Sequence, residues 1–207
     1  MASISTKGTD FFRSLLSEDR VKAYLDRLRN HHADTYRHSA RVGLLCIGLG
    51  CENVLDDAEI RLLGYGGLLH DVGKLKIPRR ILEKGAKLDA LELEAMRRHP
   101  RLGFLELADP DYAQVRKIVV AHHEYKRGPY PRGWVNRRNS QRGPDRRAAG
   151  DRVPLLAQIV AVCDIYDALE SKRAYKPAME PSQIERVLRD QFTGDSGLVD
   201  QVLRLPE

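Results

Sequence analysis

The chain has little cysteine, few aromatic residues and no long apolar run. Its 207 residues include three cysteines, Cys46, Cys51 and Cys163, which are too irregularly spaced for a disulfide framework or a CxxC metal site. We therefore expect them to be packing residues. No apolar stretch approaches the roughly 18 residues of a membrane span, and the first residues lack the charge order and cleavage site of a leader. These absences predict a cytoplasmic protein without a membrane span.

Alternating runs rich in Val, Ile and Thr are also missing, whereas apolar positions recur at helical spacing almost throughout. The pattern predicts an all-α fold, a single helical bundle of about seven to nine helices. Residues 1–33 are predicted as an N-terminal helix, from about 10 to 30, that serves as a linker or a dimer contact, and residues 34–207 as the main domain. Later helices are predicted at about 34–49, from the Asp56/Asp57 cap to 70–73, and at 89–99, 111–124, 154–170, 182–192 and 196–205.

Positive charge exceeds negative charge, with 35 Lys and Arg against 29 Asp and Glu, which favours anionic partners. Residues 126–152 contain Lys126 and eight arginines but only two aspartates, and their glycines and prolines predict one long loop. Its Arg-rich insertion, at about 132–152, is either a solvated loop or an electrostatic funnel or lid. Because Tyr130 and Trp134 are the only aromatics of this loop, we do not expect a nucleic-acid partner.

Five of the seven histidines lie at predicted helix ends or beside another ligand-type residue, in the segments RHSARV, LLHDVGK, MRRHP and VAHHE. Asp71 follows an apolar stretch, and Asp164 lies in the apolar helix LLAQIVAVCDIYDAL with Asp167 one turn later on the same side. A buried carboxylate is costly unless it is paired or bound to a cation. The predicted metal ligands are His38, His70, Asp71, His99, His122, His123 and Asp164.

Imidazole and carboxylate donors suit Fe, Mn, Co, Ni or Zn. Seven ligands exceed what one ion requires, so we predict two divalent ions with Asp71 between them. Such a pair can hold a phosphoryl group and generate hydroxide at neutral pH, which predicts hydrolysis of phosphate esters. Each residue taken singly has a simpler alternative: His38 and His99 as packing or surface residues, and Lys74 as a solvated charge.

With these motifs the chain resembles the HD superfamily of metal-dependent phosphohydrolases and, within it, the HD-GYP phosphodiesterases that open the bacterial second messenger cyclic di-GMP. The similarity runs from about Asp34 to Leu205 and rests on HSARV at 38–42, HDVGK at 70–74, RHPRLG at 98–103, HHE at 122–124 and DIYDALESKRAYK at 164–176. It implies an HD catalytic domain with a di-iron or di-manganese site that converts cyclic di-GMP to pGpG and onward to GMP. Asp34 stands where members with three ions have a glutamate, which implies a third ion.

The resemblance also implies residues that contact the substrate. Lys74 is similar to the lysine at the scissile phosphate, which makes Lys74 and Asp71 the predicted catalytic residues. Arg173 and Lys176 match a basic pair that holds the substrate phosphates. Further predicted substrate contacts are Tyr130 and Asp167.

The loop that gives the HD-GYP group its name departs from the group's pattern. The usual HHExxDGxGYP becomes HHEYKRGPYP, with Arg127 in place of the aspartate, while Tyr130 and Pro131 are kept. Two alternatives therefore stay open beside cyclic di-GMP hydrolysis. One is hydrolysis of another nucleotide phosphoester, and the other is a non-catalytic, nucleotide-binding signalling module. An upstream sensory domain or a homodimer is the expected regulatory context.

Overall fold

The computed structural model of the protein describes residues 6–130, 152–171 and 179–205. Within these ranges there are α-helices and short 3-10 helices but no strands, which confirms the all-α prediction. The 3-10 helices span Val72–Lys76 and Pro110–Tyr112. The α-helices are α1 (Thr6–Ser17), α2 (Asp19–His31), α3 (Ala33–Glu52), α4 (Asp57–Leu69), α5 (Arg79–Leu82), α6 (Ala90–Arg97), α7 (His99–Glu106), α8 (Val115–Ala121), α9 (Val153–Glu170), α10 (Pro181–Gln191) and α11 (Ser196–Val202).

The helix count exceeds seven to nine partly because the first predicted helix is two helices, broken at Glu18. The backbone of Glu18 is extended, and its carboxylate accepts hydrogen bonds from Arg61 at 2.5 Å and Tyr65 at 2.6 Å on α4. Apolar periodicity continues across such a break and does not reveal it. Leu15 of α1 and Leu28 of α2 are both fully buried in the same core as the rest of the bundle.

The core is built around α9, which is apolar nearly all round. Its neighbours are α3, α4, α8, α10 and α11, so almost every face of the helix meets another helix. A helix that is apolar on all sides is stable in water only when it is surrounded in this way. Asp164 and Asp167 are therefore carried into the protein interior by the packing of the apolar residues beside them.

Local sequence signals determine where the helices begin and end, and several of the predicted ligands lie at these helix ends. Asp56 caps α4 and Asp89 caps α6, each in a reciprocal capping box with the glutamate three residues later. α4 ends one residue before His70, and α7 begins at His99 with a proline in its first turn. The predicted helix at 111–124 is shorter than expected, because a 3-10 turn precedes α8.

Two glycines allow backbones to meet beside the ligand-bearing segments. A Cβ on Gly67 would lie 2.7 Å from the Cα of Gly43, so α3 and α4 can approach closely only without side chains there. A Cβ on Gly73 would lie 1.9 Å from the carbonyl oxygen of His99 and 2.4 Å from the amide nitrogen of Gly103. The 3-10 helix after Asp71 is thereby held against the start of α7.

Gly73→Ala is expected to destabilise the protein by about 3 kcal/mol, because the added methyl group meets backbone atoms that cannot rotate away. The free energy of unfolding from urea denaturation followed by circular dichroism measures this effect. Gly85→Ala is the matched control, since nothing lies within 4 Å of a Cβ at that position. Equal unfolding midpoints for the two variants would contradict the close approach at Gly73.

The remaining predictions on the fold concern the cysteines, membrane spans and the Arg-rich insertion. Cys46 and Cys163 are buried and Cys51 is partly buried, all as free thiols, which confirms their expected packing role. None of the described helices is long and apolar enough to cross a bilayer. The Arg-rich insertion lies outside the described residues except for Arg152, which forms an ion pair with Glu59 at 2.5 Å.

Candidate metal centre

The seven predicted ligands come from five parts of the fold and meet in its interior. They lie on α3, at the end of α4, at the start of α7, in the turn after α8, and on α9. Within three groups of three side chains, all the candidate ligand atoms lie within 4.8 Å of one another. Every member is buried, with at most 8% of the residue exposed: His38, His70, Asp71, His99, His122, His123 and Asp164.

Three of the histidines are oriented by the same local contact. The Nδ1 atoms of His70, His99 and His122 lie 2.8, 2.8 and 2.6 Å from the backbone carbonyl oxygen three residues earlier in the chain. A carbonyl only accepts, so each Nδ1 must carry the proton and donate. The Nε2 atom of each ring is then left with a lone pair that points into the cluster.

His38 has the same tautomer, but a different hydrogen bond fixes it. Its Nδ1 donates to Oδ2 of the buried Asp167 at 2.6 Å, and its Nε2 faces the cluster. The Asp167 carboxylate also accepts from Arg41, through Nε at 2.6 Å and Nη2 at 3.0 Å, and from the Ser171 hydroxyl at 3.2 Å. The sequence predicts a substrate contact for Asp167, whereas in the structure protein donors occupy both of its oxygens.

The atoms that point into the cluster are therefore acceptors facing acceptors. The Nε2 atoms of His38 and His70 are 3.2 Å apart, and those of His99 and His122 are 3.3 Å apart. The Nδ1 atom of His123 is buried without a hydrogen-bond partner among the described residues. Lone pairs at these distances repel unless a cation lies between them, so the donor set fits divalent transition metals with nitrogen and oxygen ligands.

Asp71 lies between two groups of histidines. Its Oδ1 is 3.3 Å from Nε2 of His99, and its Oδ2 is 3.4 Å from Nε2 of His70 and 2.6 Å from the ammonium of Lys74. Burial raises the pKa of the Asp71 carboxyl, but Lys74, His70 and His99 together lower it well below its usual value. An ionised carboxylate whose two oxygens face different imidazoles is suited to bridge two cations.

Burial favours the neutral form of three of these imidazoles, whereas at His70 burial is outweighed by Asp71 and Asp164, which raise its pKa. Burial lowers the pKa of His99 to about 4 and the pKa values of His122 and His123 well below their ordinary value. Burial opposes ionisation of Asp164, but the close contact with His38, at 3.0 Å, and the other histidines nearby hold its pKa well below its usual value. Neutral imidazoles and ionised carboxylates are the protonation states in which these side chains bind metals.

A cleft of about 730 Å³ opens beside the cluster. Its walls include His38 and the cationic side chains of Arg41 and Lys74, together with the segment 81–88. Asp34 also lines the cleft, but its carboxylate is 70% exposed and pairs with Arg37 rather than joining the buried ligand groups. The third ion predicted at Asp34 stays a prediction.

Tyr130, a predicted substrate contact, lies against the cluster. Its ring packs on His123 with 4.6 Å between centroids and meets His99 edge-on at 6.3 Å. Arg173 and Lys176 lie outside the described residues, so their role stays a prediction.

Three cations that the sequence did not assign to the metal centre lie beside it in the structure: Arg41, Arg97 and Lys126. Each lies two or three residues from a predicted ligand, and Arg41 lies three residues after His38 on the same helix. Neighbouring positions on one helix face were the available signal for Arg41. Arg97 and Lys126 are close in sequence to predicted ligands, but this closeness alone does not distinguish them from basic side chains that are solvated.

The chain is similar to proteins of known families. The HD domain family matches residues 35–169, a range that contains all seven predicted ligands. The chain is 36% identical over 178 residues to a protein of Pseudomonas aeruginosa named cyclic di-GMP phosphodiesterase, which covers 84% of this chain and 39% of that protein. It is 35% identical over 178 residues to the 3'3'-cGAMP-specific phosphodiesterase 2 of Vibrio cholerae, covering 84% of this chain and 32% of that protein.

A third relative comes from Thermotoga maritima and is also named cyclic di-GMP phosphodiesterase. It is 33% identical over 161 residues, with 76% of this chain and 39% of that protein covered. The chain thus spans less than half the length of each of these three relatives.

Proposed function

The chain belongs to the HD domain family, and from this premise we propose that it is a metal-dependent phosphodiesterase that hydrolyses a cyclic dinucleotide. The observation that carries the proposal is the buried set of four Nε2 lone pairs and two carboxylates beside a cleft with basic walls. Cyclic di-GMP is the substrate we propose first, with linear pGpG as product and GMP after a second hydrolysis. Two of the relatives reported above are named for that substrate.

The proposed cofactor is a pair of divalent ions, Fe or Mn, held by the seven buried ligands with Asp71 between the ions. When bound, the pair would supply Lewis acidity toward the phosphoryl oxygens and a water acidic enough to attack at neutral pH. The protein's own contribution is orientation. Carbonyl oxygens fix the tautomers of His70, His99 and His122, and Asp167 fixes that of His38.

Asp167→Asn is expected to weaken metal binding by about 10–100-fold, because a neutral amide holds the imidazole of His38 less firmly than a carboxylate does. Competition with a chromophoric chelator measures the affinity. Glu170→Gln, on the same helix, is the control, since its carboxylate accepts from Tyr166 and not from a ligand. Equal affinities in the two variants would remove Asp167 from the set of orienting residues.

Lys74 is the residue we propose to contact the phosphate that is cleaved. Its ammonium is 2.6 Å from Asp71 and 21% exposed, and it lines the cleft. A cation at that position can compensate the negative charge that develops on the phosphoryl oxygens as water adds and the P–O bond to the ribose breaks. Arg41, also in the cleft wall, adds positive potential on the side of His38.

A second candidate substrate is 3'3'-cGAMP, because one relative of similar identity is named for that compound. The two cyclic dinucleotides share both phosphodiesters and differ in one base, so the metal centre by itself does not discriminate between them. A non-catalytic role is less well supported, since all seven ligand positions hold a metal-binding side chain. An upstream sensory domain or a homodimer stays a proposal.

One assay tests the proposed function. The anaerobically purified full chain, loaded with Fe or Mn, is incubated with cyclic di-GMP, 3'3'-cGAMP, pGpG and mononucleotide esters, and the products are separated by chromatography. We expect hydrolysis of at least one cyclic dinucleotide that depends on the metal. A metal-loaded chain that leaves both cyclic dinucleotides intact would disprove the proposal.

A further inference from the structure

Two basic side chains and one aromatic ring lie on the flank of the metal centre formed by His123. The ring is that of Tyr130, which packs on His123. The ammonium of Lys126 lies 5.4 Å from the centroid of this ring, and the guanidinium carbon of Arg97 lies 5.6 Å from it. Two cations thus converge on one aromatic ring at the edge of the ligand cluster.

Neither of these cations forms an ion pair with a carboxylate in the part of the chain that the structure describes. Other basic side chains here do: Arg27 reaches Glu106 at 2.6 Å, and Arg61 reaches Glu18 at 2.5 Å. Two like charges over the same ring repel each other, and a tyrosine ring compensates only part of that cost. The described part of the chain therefore leaves both charges available to an anionic ligand.

Lys126 is held in place by its backbone. Lys126 forms an antiparallel bridge with Phe192, the amide of Arg127 donates to the carbonyl of Gln191 at 2.9 Å, and the amide of Thr193 donates to the carbonyl of Tyr125 at 3.0 Å. Burial is the main cause that lowers the pKa of the Lys126 ammonium, and Asp164 opposes this shift. A fixed and partly buried ammonium without a counter-ion is a group suited to receive one from a ligand.

We propose that Arg97 and Lys126, arranged around Tyr130, contribute to a subsite for the phosphate that is not cleaved, in addition to the phosphate contacts that the family resemblance implies for Arg173 and Lys176. This inference rests on the proposed function, because a cyclic dinucleotide carries two phosphodiesters in one ring. Lys74 contacts Asp71 at the centre of the cluster and serves the phosphate that reacts. Arg97 and Lys126 lie on the His123 flank, where the second phosphate of the same ring meets two cations.

The variant that tests the subsite is Arg97→Met together with Lys126→Met, which removes both charges and keeps the apolar parts of the side chains. With cyclic di-GMP and the Mn-loaded full chain, we expect the KM to rise about tenfold, with kcat within about twofold of the unchanged protein. Arg98→Met is the matched control, since Arg98 is exposed, adjacent to Arg97 and not over Tyr130. Metal content is measured in every variant. A KM equal to that of the control overturns the proposal.

Two further measurements test the subsite if the double variant does not fold or if the unchanged protein is inactive. If the double variant does not fold, Arg97→Met alone removes an exposed charge, and a KM that rises about threefold supports the subsite whereas an unchanged KM overturns it. If the unchanged protein hydrolyses neither cyclic dinucleotide, the proposed function fails, and calorimetric titration with GMP decides the subsite separately. Weaker GMP binding by the double variant than by Arg98→Met then supports the two cations as a phosphate site, and equal binding overturns it.

Discussion

Asp71→Asn is expected to remove bound metal and to lower hydrolysis by roughly a thousandfold or more. The reason is the position of the carboxylate, whose oxygens lie 3.3 Å from Nε2 of His99 and 3.4 Å from Nε2 of His70. An amide of the same size offers one weak oxygen ligand and turns an NH₂ group toward a cation or toward Lys74. Both metal content by mass spectrometry and kcat with cyclic di-GMP should fall together.

Asp26→Asn is the control for this substitution, because Asp26 is a partly exposed acid that pairs with Arg29 on α2, away from the cluster. The control should keep its metal and its activity. If metal-depleted Asp71→Asn protein hydrolysed the substrate at the rate of the unchanged protein, the two-ion proposal would be contradicted. Loss of activity with the full metal content would instead assign Asp71 a role in the reaction that does not include bridging the ions.

Lys74→Met is expected to lower kcat by about a hundredfold while the metal content stays the same. The ammonium lies 2.6 Å from Asp71 and lines the cleft, so it can stabilise charge that develops only as the P–O bond breaks. The loss should therefore fall on kcat rather than on KM. Initial rates over a range of cyclic di-GMP concentrations separate the two parameters.

The same 3-10 helix provides the control for this prediction. Lys76→Met removes a lysine two residues further on whose ammonium pairs with Glu106 and is 54% exposed. It should leave kcat unchanged. A Lys74→Met effect confined to KM would assign Lys74 to ground-state binding, and a kcat equal to that of Lys76→Met would exclude it from the reaction.

The fold class and a set of candidate ligands could be predicted from the sequence because both have local signatures. Helical spacing of apolar residues predicts helices whichever partners they pack against, and caps such as Asp56 and Asp89 fix their starts. The histidines were recognisable because they stand at helix ends next to acids or to other histidines. Asp164 was recognisable because an acid in a helix that is apolar all round needs a partner.

The features that the sequence did not reveal are contacts between segments. The break at Glu18 depends on Arg61 and Tyr65, which lie more than forty residues away in sequence. The place of Asp167 behind His38, with Arg41 on its other side, depends on how α3 meets α9. No periodicity within either helix specifies that meeting.

The sequence by itself determined that this is a helical protein with seven side chains of metal-binding type in apolar surroundings, since spacing and neighbouring residues carry that information. Only the tertiary structure decided which lone pairs face one another, because a lone pair is directed by the hydrogen bond on the opposite side of its ring. It also decided that Arg97 and Lys126 share one ring beside His123. Packing between residues far apart in the chain sets their positions. No sequence pattern reveals whether a charged side chain will pair with an acid, face solvent or bind a ligand.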